Sequence, residues 1–108
     1  MTDKLPHSVT AYYSAAAAHD FEALAHCFAV DGVVRDEGAV RTGRAAIATW
    51  AANAHAQYKH ETEVLGSREQ DGVHVVSVRV SGQFPGSPVQ LTQRFALAGD
   101  EIRSLEIG

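Results

Sequence analysis

The first half of the chain carries apolar residues at helical spacing, in three stripes separated by polar or turn-forming residues. The stripe within residues 7–18 consists of Val9, Tyr12, Tyr13 and Ala16. The next begins after Asp20, a suitable N-cap, and consists of Phe21, Leu24, Ala25 and Phe28. The last runs from Ala45 to Gln57 and consists of Ile47, Trp50, Ala51 and Ala54. This recurrence every three to four residues predicts a helix over each stripe.

In the second half, apolar and polar residues alternate, which is the pattern of strands with one buried face. The clearest alternation begins at Val73, and its apolar face is formed by His74, Val76, Val78, Val80 and Phe84. The opposite face is formed by Ser77, Arg79, Ser81 and Gln83. Further strands are predicted over residues 33–37, 60–69, 89–97 and 102–107. Turn-forming residues separate the strands at 31–32, 70–72, 85–88 and 99–100.

Alanine and valine are unevenly distributed, which supports the same division of the chain. Sixteen of the 18 alanines precede residue 57, whereas seven valines fall between Val64 and Val89. Alanine favours helix and valine favours strand, so helices are predicted first and strands after them. This order indicates an α+β fold, in which helices cover the apolar face of an antiparallel sheet. The 108 residues are enough for one domain and too few for two.

Charge, hydropathy and cysteine content indicate which classes of partner are excluded and in which cellular compartment the protein acts. Nine basic and 13 acidic residues give a net charge of −4 without a Lys/Arg cluster, which argues against nucleic-acid binding. No apolar run approaches the roughly 20 residues that a membrane helix needs, and the first residues lack the apolar core of a secretory signal. The single cysteine, Cys27, cannot form an internal disulfide. We therefore expect a cytoplasmic protein that binds neither nucleic acid nor membrane.

The number of large apolar residues bears on oligomeric state. Apolar residues make up 45% of the chain, but alanine accounts for 18 of them, so the core of a monomer is lean. The polar strand face, in which Arg79 is the only charged residue, suits contact between two sheets across a two-fold axis. These two features predict a homodimer.

The order of the predicted elements resembles the nuclear transport factor 2-like superfamily, which includes SnoaL-like polyketide cyclases and ketosteroid isomerases. The most specific part of the resemblance is the run Asp31-Gly32-Val33-Val34-Arg35-Asp36 followed by Arg41-Thr42-Gly43-Arg44-Ala45-Ala46-Ile47. In that run a strand-borne acid precedes a loop and a glycine-led helix. The resemblance covers nearly the whole chain. It implies a single SnoaL-like domain over residues 1–108, a cone-shaped, cystatin-like fold with a pocket between a curved antiparallel sheet and the N-terminal helices.

The resemblance also implies site residues. Asp36 stands where the ketosteroid isomerases have their general base, and Tyr12 stands where they have an oxyanion-donating tyrosine. Their second oxyanion donor is a carboxylic acid, and Leu91 stands in its place here. The pocket is expected to include Phe28, Trp50, His55, His74, Leu91 and Gln93, of which His55, His74 and Gln93 are candidates for the missing donor. A zinc-protease motif beginning at His60 lacks its second histidine, so neither a metal nor another cofactor is predicted.

Two interpretations of these residues stay open. Asp36 precedes Glu37-Gly38, so it could be a turn residue instead of a base, and Tyr12 could be an ordinary packing residue. The chain is therefore either an acid/base enzyme or a non-catalytic module that uses the same fold for ligand binding or dimerisation. As an enzyme it would isomerise, cyclise or hydrate a small apolar molecule with Asp36 and Tyr12.

Overall fold

Three helices and one six-stranded sheet form the protein in a computed structural model, which describes residues 5–108. The helices are α1 (His7–Ala17), α2 (Phe21–His26) and α3 (Arg44–Tyr58). The strands are β1 (Phe28–Asp36), β2 (Ala39–Thr42), β3 (Glu61–Gln70), β4 (Val73–Ser81), β5 (Val89–Ala98) and β6 (Glu101–Ile107). The sheet is curved and open, with the strand order β2-β1-β6-β5-β4-β3. This architecture confirms the predicted α+β class.

Neighbouring strands of the sheet are antiparallel except for β1 and β6, which pair in parallel. The parallel pair places the first strand of the chain next to the last strand. The N-terminal and C-terminal parts of the chain therefore share one sheet. Among residues 5–108, no helix has the length and apolar character needed to cross a membrane.

Local sequence explains where α2 and α3 begin. The Asp20 carboxylate accepts a hydrogen bond from the backbone N–H of Ala23 at 3.1 Å, which caps α2 as predicted. Gly43 caps α3 with φ at 92°, a conformation that favours glycine. The backbone N–H of Gly43 also donates to the Gly32 carbonyl at 2.8 Å. This bond ties the start of α3 to β1, so the helix lies against the strand that carries Asp36.

Strand β1 differs from its prediction. The helix predicted to reach Phe28 ends at His26, and the predicted turn at Asp31-Gly32 lies inside β1. The pairing of β1 with β6 shifts register between Phe28 and Val33, and a Cβ atom on Gly32 would approach the Phe28 Cβ to 2.9 Å. The absence of a side chain at Gly32 therefore lets the backbone pass close to Phe28 at an irregular part of the strand. In the sequence, a glycine in this role cannot be distinguished from a glycine in a turn.

Strand β2 was not predicted. It is four residues long and mostly exposed, so it has no apolar alternation to reveal it. It pairs with β1 through a tight hairpin, in which Glu37 and Gly38 both have positive φ angles of 54° and 77°. The hairpin places Asp36 at the last paired position of β1, opposite Ala39.

The hydrophobic core lies between the helices and the inner face of the sheet. Its largest fully buried side chains are Phe28, Phe95, Ile47, Ile102, Leu105, Val9, Val34, Val76 and Val78. Tyr12 of α1 joins this core, with its ring centroid 6.0 Å from that of Phe28 and 5.4 Å from that of Phe95. The outer face of β4 is exposed at Ser77, Arg79 and Ser81, as the alternation predicts.

Candidate functional site

A cavity of about 850 Å³ lies between the helices and the inner face of the sheet. Its aromatic wall is formed by Tyr12, Tyr13, Phe21, Trp50, Tyr58 and Phe84. Three carboxylates, those of Asp36, Glu37 and Glu61, also line it, whereas no Lys or Arg within residues 5–108 does so. An aromatic cavity of this size, with carboxylates but no Lys or Arg in its wall, suits a small, largely apolar molecule that carries no negative charge.

Asp36 and Trp50 form a hydrogen bond within this cavity. Trp50 lies on the face of α3 that packs toward β1, and its indole Nε1–H donates to Asp36 Oδ2 at 3.1 Å. The second carboxylate oxygen of Asp36 accepts no hydrogen bond from residues 5–108. The carboxylate is thus held by one donor while its other oxygen is free to take a proton. Although Asp36 does precede a tight turn, the bond made by its side chain is to α3 and not to the turn.

Tyr12 supplies a hydroxyl to the same cavity. Its side chain is 6% exposed, and its hydroxyl makes no hydrogen bond within residues 5–108. The hydroxyl is not among the fully enclosed polar atoms, so its free surface is open to the cavity. Burial raises the pKa of Tyr12 well above its usual range, and the negative charge of Asp36 raises it further. Tyr12 is therefore protonated at neutral pH and can donate a hydrogen bond to a ligand.

Tyr13 and Gln93 form a second polar pair. The Tyr13 hydroxyl donates to Gln93 Oε1 at 2.5 Å, which joins α1 to β5. Burial, followed by the neighbouring Tyr12, raises the pKa of Tyr13 well above its usual range, so it also stays protonated. Tyr13 was predicted only as part of the apolar stripe of α1. A glutamine on the otherwise apolar alternation of Val89, Leu91 and Phe95 was the signal that a buried partner was needed.

Three histidines cluster at another part of the cavity wall. The ring centroid of His55 lies 3.9 Å from that of His19 and 6.1 Å from that of His60. His60 Nδ1 is enclosed and makes no hydrogen bond within residues 5–108. Burial and then His55 lower the pKa of His60, although the Ala54 carbonyl and Asp36 act in the opposite direction. Within the described residues, histidine, cysteine and carboxylate groups form no cluster with the geometry of a metal site.

We expect the thermal stability of the protein to fall as the pH is lowered below about 6.5, in part because of His60. The pKa of His60 is lower in the folded chain than its ordinary value of 6.5. Its contribution to stability is therefore complete above that value and is lost as the pH falls through the folded-state pKa. Thermal melting over this range should show a shallower loss for His60→Gln than for the wild type.

A matched control for that measurement is His7→Gln, because His7 is exposed at the start of α1. This variant should lose stability with pH as steeply as the wild type does. Equal slopes for the wild type and His60→Gln would show that His60 does not contribute.

The structure brings six of the eight predicted site residues to the cavity wall: Tyr12, Asp36, Trp50, His55, Leu91 and Gln93. Phe28 and His74 do not line it. Phe28 is completely buried in the core, where it contacts the ring of Tyr12. His74 lies at the start of β4, whereas Val80 is the residue of that strand that lines the cavity, about 20 Å further along. Alternation identified the face of His74 but not the end of the strand that the cavity reaches.

Comparison with known proteins supports the assignment of this fold. The model of the SnoaL-like domain family matches residues 9–104. A Sinorhizobium meliloti protein, provisionally described as a polyketide cyclase, is 40% identical with a TM-score of 0.92, and the match covers 96% of this chain and 95% of that chain. A comparison with curated proteins found no match.

Two further solved structures are similar. A Catenulispora acidiphila protein with a ketosteroid isomerase-like fold, in complex with trimethylamine, is 25% identical with a TM-score of 0.85, and the match covers 97% of this chain and 86% of that chain. A cystatin-fold protein from Novosphingobium aromaticivorans is 17% identical with a TM-score of 0.79, and the match covers 97% of this chain and 99% of that chain. The family match spans nearly the whole chain, and the fold agrees with it. The chain therefore belongs to the SnoaL-like domain family.

Proposed function

We propose that this protein binds a small, largely apolar carbonyl compound and catalyses its isomerisation, cyclisation or hydration by acid/base chemistry. Asp36 acts as the base and Tyr12 as the hydrogen-bond donor to the carbonyl oxygen. One observation carries the proposal. Asp36, whose carboxylate is held by Trp50, and Tyr12, whose hydroxyl has no partner within residues 5–108, line one cavity. A base and an oxyanion donor in one apolar cavity are what proton abstraction next to a carbonyl requires.

The chemical step follows from these two roles. Asp36 removes a proton from the carbon next to the carbonyl, the electrons of that C–H bond form a C=C bond, and the carbonyl π electrons move onto oxygen. Tyr12 stabilises the resulting negative charge by donating a hydrogen bond, and it donates best while it keeps its own proton. Where a further C=C bond is conjugated with this enolate, return of the proton to the far carbon of that bond gives an isomer in which the double bond has moved. Trp50 holds the carboxylate in position through its indole N–H.

The relatives support this class of chemistry. The Sinorhizobium meliloti protein is provisionally described as a polyketide cyclase, and the Catenulispora acidiphila protein has a ketosteroid isomerase-like fold. Cyclisation of a polyketide and isomerisation of a ketosteroid both proceed at carbons next to a carbonyl group. The cavity wall of aromatic and aliphatic residues is compatible with either kind of substrate.

Hydrogen exchange in a test ketone distinguishes an enzyme from a binding module. NMR spectroscopy in D₂O measures how fast 2-tetralone, a small bicyclic ketone, exchanges the hydrogens next to its carbonyl. The proposal predicts that the protein accelerates this exchange in a saturable way. Saturable binding without acceleration over the buffer rate would contradict the catalytic role.

That second outcome corresponds to an alternative function, a non-catalytic ligand-binding or dimerisation module. The observation that favours it is Leu91, an apolar residue on the cavity wall at the position where the ketosteroid isomerases have an acid. In this alternative the cavity holds the same class of ligand, with Asp36 and Tyr12 as polar contacts only.

We further propose that the protein acts in the cytoplasm without nucleic-acid or membrane partners.

We also propose a homodimer that forms through the outer face of the sheet. Ser77 and Ser81 of β4 are exposed there, and Gln83, which follows the strand, is exposed as well. Sedimentation equilibrium at micromolar concentration should therefore give twice the chain mass of 11.5 kDa. A lysine at position 77 would bring like charges together across the two-fold axis, so Ser77→Lys should shift the protein toward monomer.

The matched control for the dimer is Gln57→Lys, an exposed position near the end of α3, on the helical side of the sheet. It adds the same charge away from the proposed interface and should leave the mass unchanged. A wild-type mass of 11.5 kDa at micromolar concentration would exclude the dimer.

A further inference from the structure

We propose that the side-chain amide of Gln93 and the hydroxyl of Tyr12 together form a subsite for one carbonyl oxygen, and that Tyr13 positions the amide. This inference rests on the proposed function in one respect, namely that the ligand is a carbonyl compound. It assigns the second hydrogen-bond donor, for which the sequence offered three candidates. Gln93 then touches the ligand, whereas Tyr13 acts through Gln93.

The hydrogen bond from Tyr13 determines what Gln93 can offer a ligand. Gln93 Oε1 accepts the Tyr13 hydroxyl, so the Nε2 group keeps both of its N–H donors. Those donors have no hydrogen-bond partner within residues 5–108. Gln93 is only 6% exposed, yet its Nε2 atom is not among the fully enclosed polar atoms. Since Gln93 lines the cavity, the free surface of Nε2 opens into it.

Tyr12 and Gln93 lie on the same part of the cavity wall. The rings of Tyr12 and Tyr13 are in edge contact, with centroids 5.2 Å apart, and the Tyr13 hydroxyl reaches Gln93. Both tyrosine rings also pack against Phe95, with centroids 5.4 and 5.8 Å away. Phe95 follows Gln93 by two residues on β5 and therefore projects from the same face of the sheet. Two residues with unpartnered donors therefore lie close together on one part of the cavity wall.

The charge of the cavity indicates which oxygen these donors would bind. Asp36, Glu37 and Glu61 line the cavity without a Lys or Arg among the described residues, so a permanent anion would be repelled. A neutral carbonyl oxygen carries only a partial negative charge, which two uncharged donors can satisfy. That charge increases when the neighbouring C–H bond is broken, and the same donors then stabilise it more strongly.

The other candidates fit this role less well. His74 does not line the cavity, and His55 lies in the histidine cluster, with its ring against that of His19. Leu91 lines the cavity but has no donor. Gln93 projects from the same face of β5 as Leu91, about 7 Å further along the strand. A donor lost at one position of the strand is thereby supplied from the next position that faces the cavity.

The subsite is tested by comparing 2-tetralone with tetralin, the hydrocarbon of the same shape that lacks the oxygen. Ligand-observed NMR titration measures the affinity of both molecules for the wild type, Gln93→Met, Tyr13→Phe and Leu91→Met. Gln93→Met should weaken 2-tetralone binding about 3- to 10-fold, as expected for one lost hydrogen bond, and leave tetralin binding nearly unchanged. Tyr13→Phe should have a smaller effect in the same direction, because the amide is kept but is no longer held. Leu91→Met is the matched control on the same wall, and it should not change the ratio of the two affinities.

Infrared spectroscopy of the bound ketone gives a second measurement that a purely structural role would not affect. The carbonyl stretching frequency should move toward its value in an apolar solvent in Gln93→Met, and less so in Tyr13→Phe. Equal weakening of both molecules with an unchanged frequency would show that Gln93 only shapes the cavity and would overturn the subsite. If Gln93→Met does not fold, Tyr13→Phe decides by the same two criteria.

These outcomes are separable from the proposed catalysis. If the ketone-specific loss occurs but the wild type does not accelerate hydrogen exchange, the subsite stands and the catalytic proposal fails. If the wild type accelerates exchange but Gln93→Met and Tyr13→Phe leave both the rate and the ketone affinity unchanged, the catalytic proposal stands and the subsite fails. If Gln93 supplies the donor, Gln93→Met should also lower the exchange rate by about 10²–10³-fold.

Discussion

Replacement of Asp36 by asparagine is expected to lower the rate of hydrogen exchange in 2-tetralone by about 10²–10⁴-fold, the usual contribution of a general base. Asparagine has nearly the same shape as aspartate and can still accept the hydrogen bond from Trp50 Nε1, but it cannot take up the proton. The affinity for 2-tetralone should therefore change little while the rate falls. NMR spectroscopy in D₂O measures both quantities in the same sample.

Glu37→Gln is the control for that substitution. Glu37 follows Asp36 in the same hairpin and its carboxylate also lines the cavity, but it lies in the exposed turn. If a carboxylate near the cavity is not by itself sufficient for catalysis, removal of the Glu37 charge should leave the exchange rate within a few-fold of the wild type. An Asp36→Asn variant that keeps the wild-type rate, or a Glu37→Gln variant that loses as much, would remove Asp36 from the role of base.

Replacement of Phe95 by alanine is expected to lower the free energy of unfolding by about 3–5 kcal/mol, the usual range for loss of a buried phenylalanine. Phe95 is completely buried in the centre of β5, and its ring is in edge contact with those of Tyr12 and Tyr13. The substitution removes these contacts and leaves a cavity under the residues that carry the site. Urea denaturation followed by circular dichroism measures the change.

Phe84→Ala is the matched substitution of the same residue type. Phe84 is partly exposed in the segment between β4 and β5 and contacts Tyr58 at the cavity wall, outside the main core. Its loss should lower the free energy of unfolding by less than half as much, because its ring is already partly in water and leaves no closed cavity. Equal losses for the two variants would show that Phe95 has no special place in the core.

The helices and long strands could be predicted from the sequence because their periodicity reflects burial along a single element. Apolar stripes located α1 and α3, the side chain of Asp20 marked the start of α2, and alternation located β4 and β5 with the correct face inward. The short strand β2 and the irregular part of β1 at Gly32 had no such pattern. Strand β2 is defined by its pairing with β1 across the hairpin, and the irregular part of β1 is defined by its pairing with β6, which is distant in sequence.

The site, too, has features that the sequence predicted and features that only the structure shows. Sequence alone placed Asp36 at the end of a strand and Tyr12 on the buried face of a helix, and its resemblance to the ketosteroid isomerases suggested their roles. The partners of these residues come from other elements: Trp50 of α3 bonds to Asp36, and Tyr13 of α1 bonds to Gln93 of β5 across 80 positions of sequence. His74 shows the same limit, because alternation gives the face of a side chain but not the part of that face that a cavity reaches. Periodicity is a property of one segment, so the sequence determined the elements and their buried faces. Hydrogen bonds between segments depend on how the helices pack on the sheet, and only the tertiary structure decided them.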